Sequence, residues 1–172
     1  MKLVHNKINI ETDRDYILER HCQVAYKCDV PWAIKIPYEE YRANWFDWIG
    51  QKEGFLGDLI ESMKDERTIA EIIITESVDP VGFIWVYFHG EDAKFIWAEV
   101  KDIFVEEAYR RHGIAAYLMD YAEQSAKQNG AKVIRSATGC ENIPSQKLHQ
   151  KMGYYQYRFE YEKVLGEESK DA

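Results

Sequence analysis

Val100-Lys101-Asp102-Ile103-Phe104-Val105 and, a few residues on, Arg110-Arg111-His112-Gly113-Ile114-Ala115 form the stretch on which the fold turns. The first part alternates and is rich in β-branched and aromatic residues, which reads as a strand. Beyond the second part, apolar residues recur at Ala115, Leu118, Met119, Ala122 and Ala126, the spacing of one helical face. Strand, turn and helix therefore meet at this point. A helix start presents unpaired backbone N–H groups and a partial positive charge, and Gly113 lets an anion reach that backbone without a Cβ in the way. Arg110 and Arg111 add fixed positive charge with forked donors suited to phosphate oxygens. The stretch reads as a phosphate-cradling turn. It is neither a dinucleotide fingerprint, which needs three glycines and a later acidic residue, nor a Walker loop, which ends in Gly-Lys-Ser/Thr.

A second patch runs Asn142-Ile143-Pro144-Ser145-Gln146-Lys147-Leu148-His149-Gln150-Lys151-Met152-Gly153-Tyr154. Pro144 near a helix start and Gly153 as its stop predict a compact helix that delivers Tyr154 into a closing strand. In order and separation the two patches resemble the two signatures of the GNAT superfamily, the acyl-CoA-dependent N-acetyltransferases. Arg-x-x-Gly-x-Ala after a strand resembles the family's coenzyme A pyrophosphate loop. Asn142, Ser145, Leu148 and Lys151-x-Gly153-Tyr154 resemble the second signature, with His149 standing where the family has Tyr. The resemblance implies an α/β (mixed α+β) GNAT-type acyl-CoA N-acyltransferase fold, a central mixed sheet of six to seven strands flanked by helices. In that fold two central parallel strands splay apart and CoA lies in the gap.

The rest of the chain fits that order. Ile8-Asn9-Ile10 is a short strand candidate, and Thr12-Asp13 signals a helix over about Asp15 to Lys27. Pro37 opens a second helix that stops at Gly50, and a third is expected from Phe55 to Met63. Ile69 to Thr75 and Val81 to Phe88, divided by Ser77-Val78-Asp79-Pro80, predict a hairpin. Gly90-Glu91-Asp92 turns the chain into a strand over Phe95 to Val105. A long helix follows from Gly113 to the Gly130 stop, then a strand over Lys132 to Ala137, the short helix, and a final alternating strand over Tyr154 to Val164. We expect one domain over residues 1–165 and a polar, disordered tail over 166–172.

Composition limits the function classes. The 30 acidic and 22 basic residues give a formal charge of −8, which argues against nucleic acid as a ligand. No apolar stretch approaches transmembrane length, and the start Met1-Lys2-Leu3-Val4-His5-Asn6 lacks the apolar centre of a signal peptide, so we expect a cytoplasmic protein without membrane association. Cys22, Cys28 and Cys140 show no redox or metal spacing, and the five histidines are scattered, which predicts neither a disulfide framework nor a metal site. Trp32, Tyr38, Tyr41, Trp45, Phe46, Trp48 and Phe55 crowd one region, where they pack the early helices or, as the resemblance implies, line an acceptor pocket. The aromatic excess also suits a homodimer interface.

On the resemblance, the expected reaction is direct transfer of an acetyl group from acetyl-CoA to a primary amine of a small molecule or protein, with no covalent enzyme intermediate. The alternative is a non-catalytic acyl-CoA-binding sensor of the same fold, and donors such as succinyl- or propionyl-CoA also stay open. Aliphatic amines are largely protonated at neutral pH, so a base is needed. Glu99, eleven residues before Arg110 and following Ala98, is placed like the base glutamate of the histone-acetyltransferase branch. Asp102 competes with it. The two lie an odd number of positions apart, so a regular strand sends them to opposite faces, unless a β-bulge intervenes. His149 is the candidate acid for the departing thiolate. By the same resemblance Ile103, Phe104 and Val105 pair with the pantetheine arm, Arg110, Arg111, His112, Gly113, Ile114 and Ala115 hold the pyrophosphate, Asn142 bonds the pantetheine and Lys151 meets the CoA phosphates.

Overall fold

The computed structural model describes residues 2–28, 36–47, 51–90 and 95–161. Strands β1 (Leu3–Lys7), β2 (Ile69–Thr75), β3 (Pro80–His89), β4 (Trp97–Val105) and β5 (Val133–Ser136) form one sheet in that order. β1 to β4 are antiparallel neighbours, whereas β5 runs parallel to β4. A parallel neighbour needs a crossover, and the helix after the phosphate turn supplies it.

Both faces of the sheet are covered, which is why β2 and β3 read as nearly unbroken apolar runs. On one face Ala70, Ile72, Phe83, Trp85 and Phe104 pack against α1 (Ile10–Cys28), α2 (Tyr38–Asp47) and α3 (Gln51–Ser62). On the other, Ile73, Ile84, Val86, Ala98 and Val100 pack against α4 (Ile114–Gln128), with Leu148 of α5 (Ile143–Lys151) at the margin. The buried Trp85 indole donates to Ser62 Oγ at 2.9 Å, and that hydroxyl donates to the Leu59 carbonyl at 2.7 Å, so this polar link through the core is satisfied at both ends.

The hairpin, the long helix and the α5 helix form where the sequence places them. The N-terminus differs. The first strand is Leu3–Lys7, not Ile8–Ile10, and α1 begins at Ile10, ahead of the Thr12-Asp13 signal. Asn9 is the reason: its Oδ1 accepts the Glu11 N–H at 3.0 Å, and Asp13 reaches back to accept the Asn9 N–H at 2.8 Å. The sheet has five strands among the described residues rather than six or seven. Residues 154–161 of the expected last strand run without ladder partners, and 162–164 lie outside the described residues. Trp32, Trp48, Gly50, Glu91, Asp92 and the tail 166–172 also lie outside them.

The feature with most consequence is in β4, where the bulge that the sequence left open is present. Pairing steps from Val86↔Val100 to Trp85↔Asp102, so Lys101 is an extra residue, a β-bulge. Alternation is reset there. Ala98 and Val100 face α4, and past the bulge it is Ile103 and Val105 that do so. Glu99 and Asp102, which a regular strand would send to opposite faces, therefore share the face covered by α1 to α3.

Two carboxylates brace the molecule. Hydrogen bonds from Arg42 hold Glu19 below the ordinary carboxylate range, and hydrogen bonds from Arg67 do the same for Asp65. A depressed native value adds stability above the ordinary range, which is lost as pH falls through the native value. Asp65→Asn is thus expected to lower the unfolding free energy at pH 7 by about 1.5 kcal/mol, the low end for hydrogen bonds to a charged group. In urea titrations its gap from the wild type should close below about pH 4.

Candidate active site

The parallel pairing of β4 and β5 ends at Val100↔Ser136, yet β4 continues to Val105. Its outer edge from Lys101 onward has no strand partner among the described residues, and the bulge that bends it sits where the two strands part. The expected pantetheine residues Ile103, Phe104 and Val105 all lie on this open edge. An open β edge presents N–H and C=O groups that an extended ligand can pair with.

The chain leaves β4 through a short 3-10 turn, Glu107–Tyr109, and enters the Arg110–Ala115 loop. Arg111 has φ 67°, in the left-handed region that a non-glycine residue seldom adopts, and Gly113 follows at φ 81°. Gly113 is the N-cap of α4, and it brings no side-chain hydrogen bond to that end of the helix. Nothing lies within 4 Å of where a Gly113 Cβ would stand. A helix start without a side-chain cap leaves its first N–H groups available to an anion. Arg110 is partly engaged: its Nε donates to the Val105 carbonyl at 2.9 Å and its guanidinium lies 5.5 Å from the Phe104 ring centre. That bond pins the loop to the β4 edge. His112 Nδ1 lies 3.3 Å from the Tyr109 carbonyl, and with Gly113, Ile114 and Tyr117 it lines a cavity of about 620 Å³ on the β1 side of the loop.

On the opposite face the floor is polar and aromatic. Glu99 Oε2 lies 2.9 Å from His89 Nε2, and Lys101 Nζ is 3.8 Å from Glu99 Oε1. His89 stacks flat on Trp97 at 3.7 Å, and the Arg135 guanidinium lies 4.3 Å from the centre of the same indole. Asp102, whose side chain is fully buried, lies 2.6 Å through Oδ2 from Nδ1 of His21 on α1. Sequence reasoning passed over His21, since no spacing signal ties a helix residue to a strand residue 81 positions away.

Helix α1 roofs the gap. It is tied to the end of β4 by Arg20 Nε donating to Glu106 at 2.6 Å, and it reaches the segment after β5 through Cys28, whose Sγ lies 3.5 Å from Asn142 Nδ2. A Cβ on Gly139 would stand 2.5 Å from the Lys27 carbonyl, so glycine is what lets the two segments meet. Asn142 thus spends one amide donor on Cys28. His149 Nδ1 donates to the Ser145 carbonyl at 2.8 Å, and its Nε2 is buried without a hydrogen-bond partner among the described residues. Its ring meets Tyr154 edge-on at 5.3 Å, and burial, with Glu123 nearby, raises the Tyr154 phenol well above its ordinary value. Lys151 is exposed at the end of α5. The structure therefore gathers Ile103–Val105, the 110–115 loop and the β4–β5 gap, and sets Glu99 on the far face. Among the described residues no helix is long and apolar enough to cross a membrane, and no group of three His, Cys, Asp or Glu could hold a metal.

Comparison with known proteins gives the arrangement its context. A family model described as "Acetyltransferase (GNAT) family" matches residues 29–154. The aminoalkylphosphonate N-acetyltransferase of Salmonella typhimurium is 25% identical over 128 residues, 73% of this chain and 79% of that protein. Among solved structures, aminoglycoside antibiotic 6'-N-acetyltransferase AAC(6')-Ih from Acinetobacter baumannii superposes with a TM-score of 0.62 at 18% identity, over 96% of this chain and 100% of that one. AAC(6')-Iy, solved with the bisubstrate analogue CoA-S-monomethyl-acetylneamine, gives 0.62 at 19% identity over 95% of this chain and 99% of its own.

Proposed function

The chain belongs to the acetyltransferase (GNAT) family, whose co-substrate is acetyl-CoA, and from that premise we propose that it acetylates the primary amine of a small molecule. The observation that carries the reading is the unpaired β4 edge from Lys101 to Val105 running into the uncapped, glycine-led start of α4. The first suits an extended amide-bearing arm and the second suits a pyrophosphate, in the order in which CoA carries them.

In this reading Ile103, Phe104 and Val105 pair with pantetheine, residues 110–115 hold the pyrophosphate, Asn142 uses its remaining amide groups on the arm and Lys151 meets the outer phosphates. The acetyl end is directed through the β4–β5 gap toward the α1–α3 face, where the acceptor enters. Acetyl-CoA supplies a thioester carbonyl, and in this reading a backbone N–H of the Ile103–Val105 edge stabilises charge on its oxygen. Glu99 brings negative charge to that face and receives the acceptor's ammonium. The thiolate is a tolerable leaving group, and His149 Nε2, once protonated, is the atom that returns its proton. The small-molecule class is supported by the aminoalkylphosphonate and aminoglycoside enzymes that the chain resembles.

The test is release of CoA thiol from acetyl-CoA across a panel of primary amines that includes 2-aminoethylphosphonate, neamine, spermidine and a lysine peptide. Amine-dependent release with a small molecule supports the proposal, and release with the peptide alone would sink the small-molecule assignment. For an accepted amine, Glu99→Gln should raise KM about 10-fold, the low end for one charged hydrogen bond, and leave kcat within about threefold.

A further inference from the structure

We propose that His21, oriented by the buried Asp102, is the base that takes the proton from the attacking amine. The inference rests on the acetyltransferase reading and replaces a bare carboxylate with an imidazole. Three observations carry it.

The first is geometry. Asp102 Oδ2 holds His21 Nδ1 at 2.6 Å, and Nε2 has no hydrogen-bond partner among the described residues. A buried carboxylate on Nδ1 fixes the tautomer, leaves the Nε2 lone pair to accept a proton and stabilises the imidazolium that forms. The second is the unexplained polarity of Asp102. Its Oδ1 is buried without a partner among the described residues, a costly arrangement in a structural residue but a reserve of negative charge beneath a base. The third is placement. Asp102 is the first residue past the bulge, where β4 parts from β5. His21 and Cys28 are seven residues apart, about two turns, and so share one face of α1. That face touches β4 through His21 and the segment beyond β5 through Cys28, so His21 stands over the gap itself.

Around the ring, α3 presents Phe55, stacked at 3.9 Å, and α2 presents Trp45 at 5.8 Å. From β4 the titratable group facing it is Asp102, and the neighbouring Arg20 on α1 is engaged by Glu106. Two aromatic walls limit water and hold the imidazole plane. Glu99, by contrast, is already bridged to His89 and Lys101.

The step balances. The ammonium first gives one proton to water; its nitrogen then attacks the thioester carbonyl carbon, forms the N–C bond and passes a second proton to Nε2. The C–S bond breaks with its electron pair leaving on sulfur, and the thiolate takes a proton. His21 returns its own to solvent.

The experiment compares wild type, His21→Gln and Asp102→Asn for amine-dependent CoA release, with the acetyl-CoA-induced thermal shift as the check on folding and donor binding. We expect kcat to fall 100- to 1,000-fold in His21→Gln with the thermal shift retained, within the range of general-base contributions. Asp102→Asn should lose about 10-fold or more, and the acid limb of the wild-type pH profile should disappear in His21→Gln. A His21→Gln enzyme with more than a third of wild-type kcat and an unchanged pH profile would overturn the proposal. An independent arm needs no acceptor: diethyl pyrocarbonate labelling of His21, mapped by peptide mass, should slow at least fivefold with acetyl-CoA and not with NAD. Equal labelling in a protein that acetyl-CoA stabilises would place His21 away from the thioester and overturn it. Absence of any acetyl-CoA effect on wild type would instead defeat the acetyltransferase reading itself.

Discussion

Gly82→Ala is expected to lower the thermal midpoint by about 6–12 °C. Gly82 on β3 pairs with Val105 on β4, and a Cβ there would stand 2.0 Å from the Phe104 carbonyl oxygen and 3.1 Å from the Val105 Cα. Both are backbone atoms, so no rotamer relieves the clash and β4 itself must move. Overpacking of this kind costs about 3 kcal/mol at its upper range, and at this chain length each kcal/mol shifts the midpoint by roughly 2–4 °C. The displaced segment is the open edge on which the pantetheine residues lie. Calorimetry of the variant should therefore report lower stability together with weakened acetyl-CoA binding. A midpoint within about 2 °C of wild type would mean that β3 and β4 are not packed as described.

The larger functional effect is expected from Gly113→Val, which should weaken acetyl-CoA binding about 100-fold. A β-branched residue at φ 81° strains the backbone by about 1–3 kcal/mol, and its side chain would project into the space in front of the first α4 N–H groups. Losing one or two hydrogen bonds to charged phosphate oxygens removes about 3 kcal/mol of binding. The same helix supplies the control. Gly130, just past its other end, has φ 76° and is equally free of neighbours, so Gly130→Val carries the same strain without an anion in front of it. Titration calorimetry should find its affinity for acetyl-CoA within about twofold of wild type. Equal losses in both variants would mean that helix stability, not anion contact, governs binding.

Much of this was legible in the residues. β2 and β3 are apolar runs bounded by turn residues, α4 has a clean helical stripe, and the glycine and arginines between β4 and α4 announce the loop. What escaped has physical causes. β1 is a five-residue edge strand, Leu-Val-His-Asn-Lys, too short and too polar to stand out beside Ile8-Asn9-Ile10. The bulge at Lys101 is a property of the β3–β4 register and leaves no local mark, yet it decides which carboxylates face the acceptor side. Parity leaves the choice between Glu99 and Asp102 open; what it cannot give is the bond of Asp102 to His21, a pairing set by how α1 crosses the sheet. At the C-terminus Tyr155, Tyr157, Phe159 and Tyr161 alternate like a strand, but alternation alone cannot supply a ladder partner. There the Arg135 guanidinium of β5 lies 5.0 Å from the Tyr157 ring centre.

The most direct test of the central claim is the thermal shift of the wild-type protein with acetyl-CoA, set against NAD and ATP at equal concentration. At about 100 times the dissociation constant, binding adds roughly 2.7 kcal/mol, a rise of about 5–10 °C at this chain length. A selective rise with acetyl-CoA is the predicted result. No rise in a folded protein, or an equal rise with ATP, would contradict an acyl-CoA site built from the β4 edge and the start of α4.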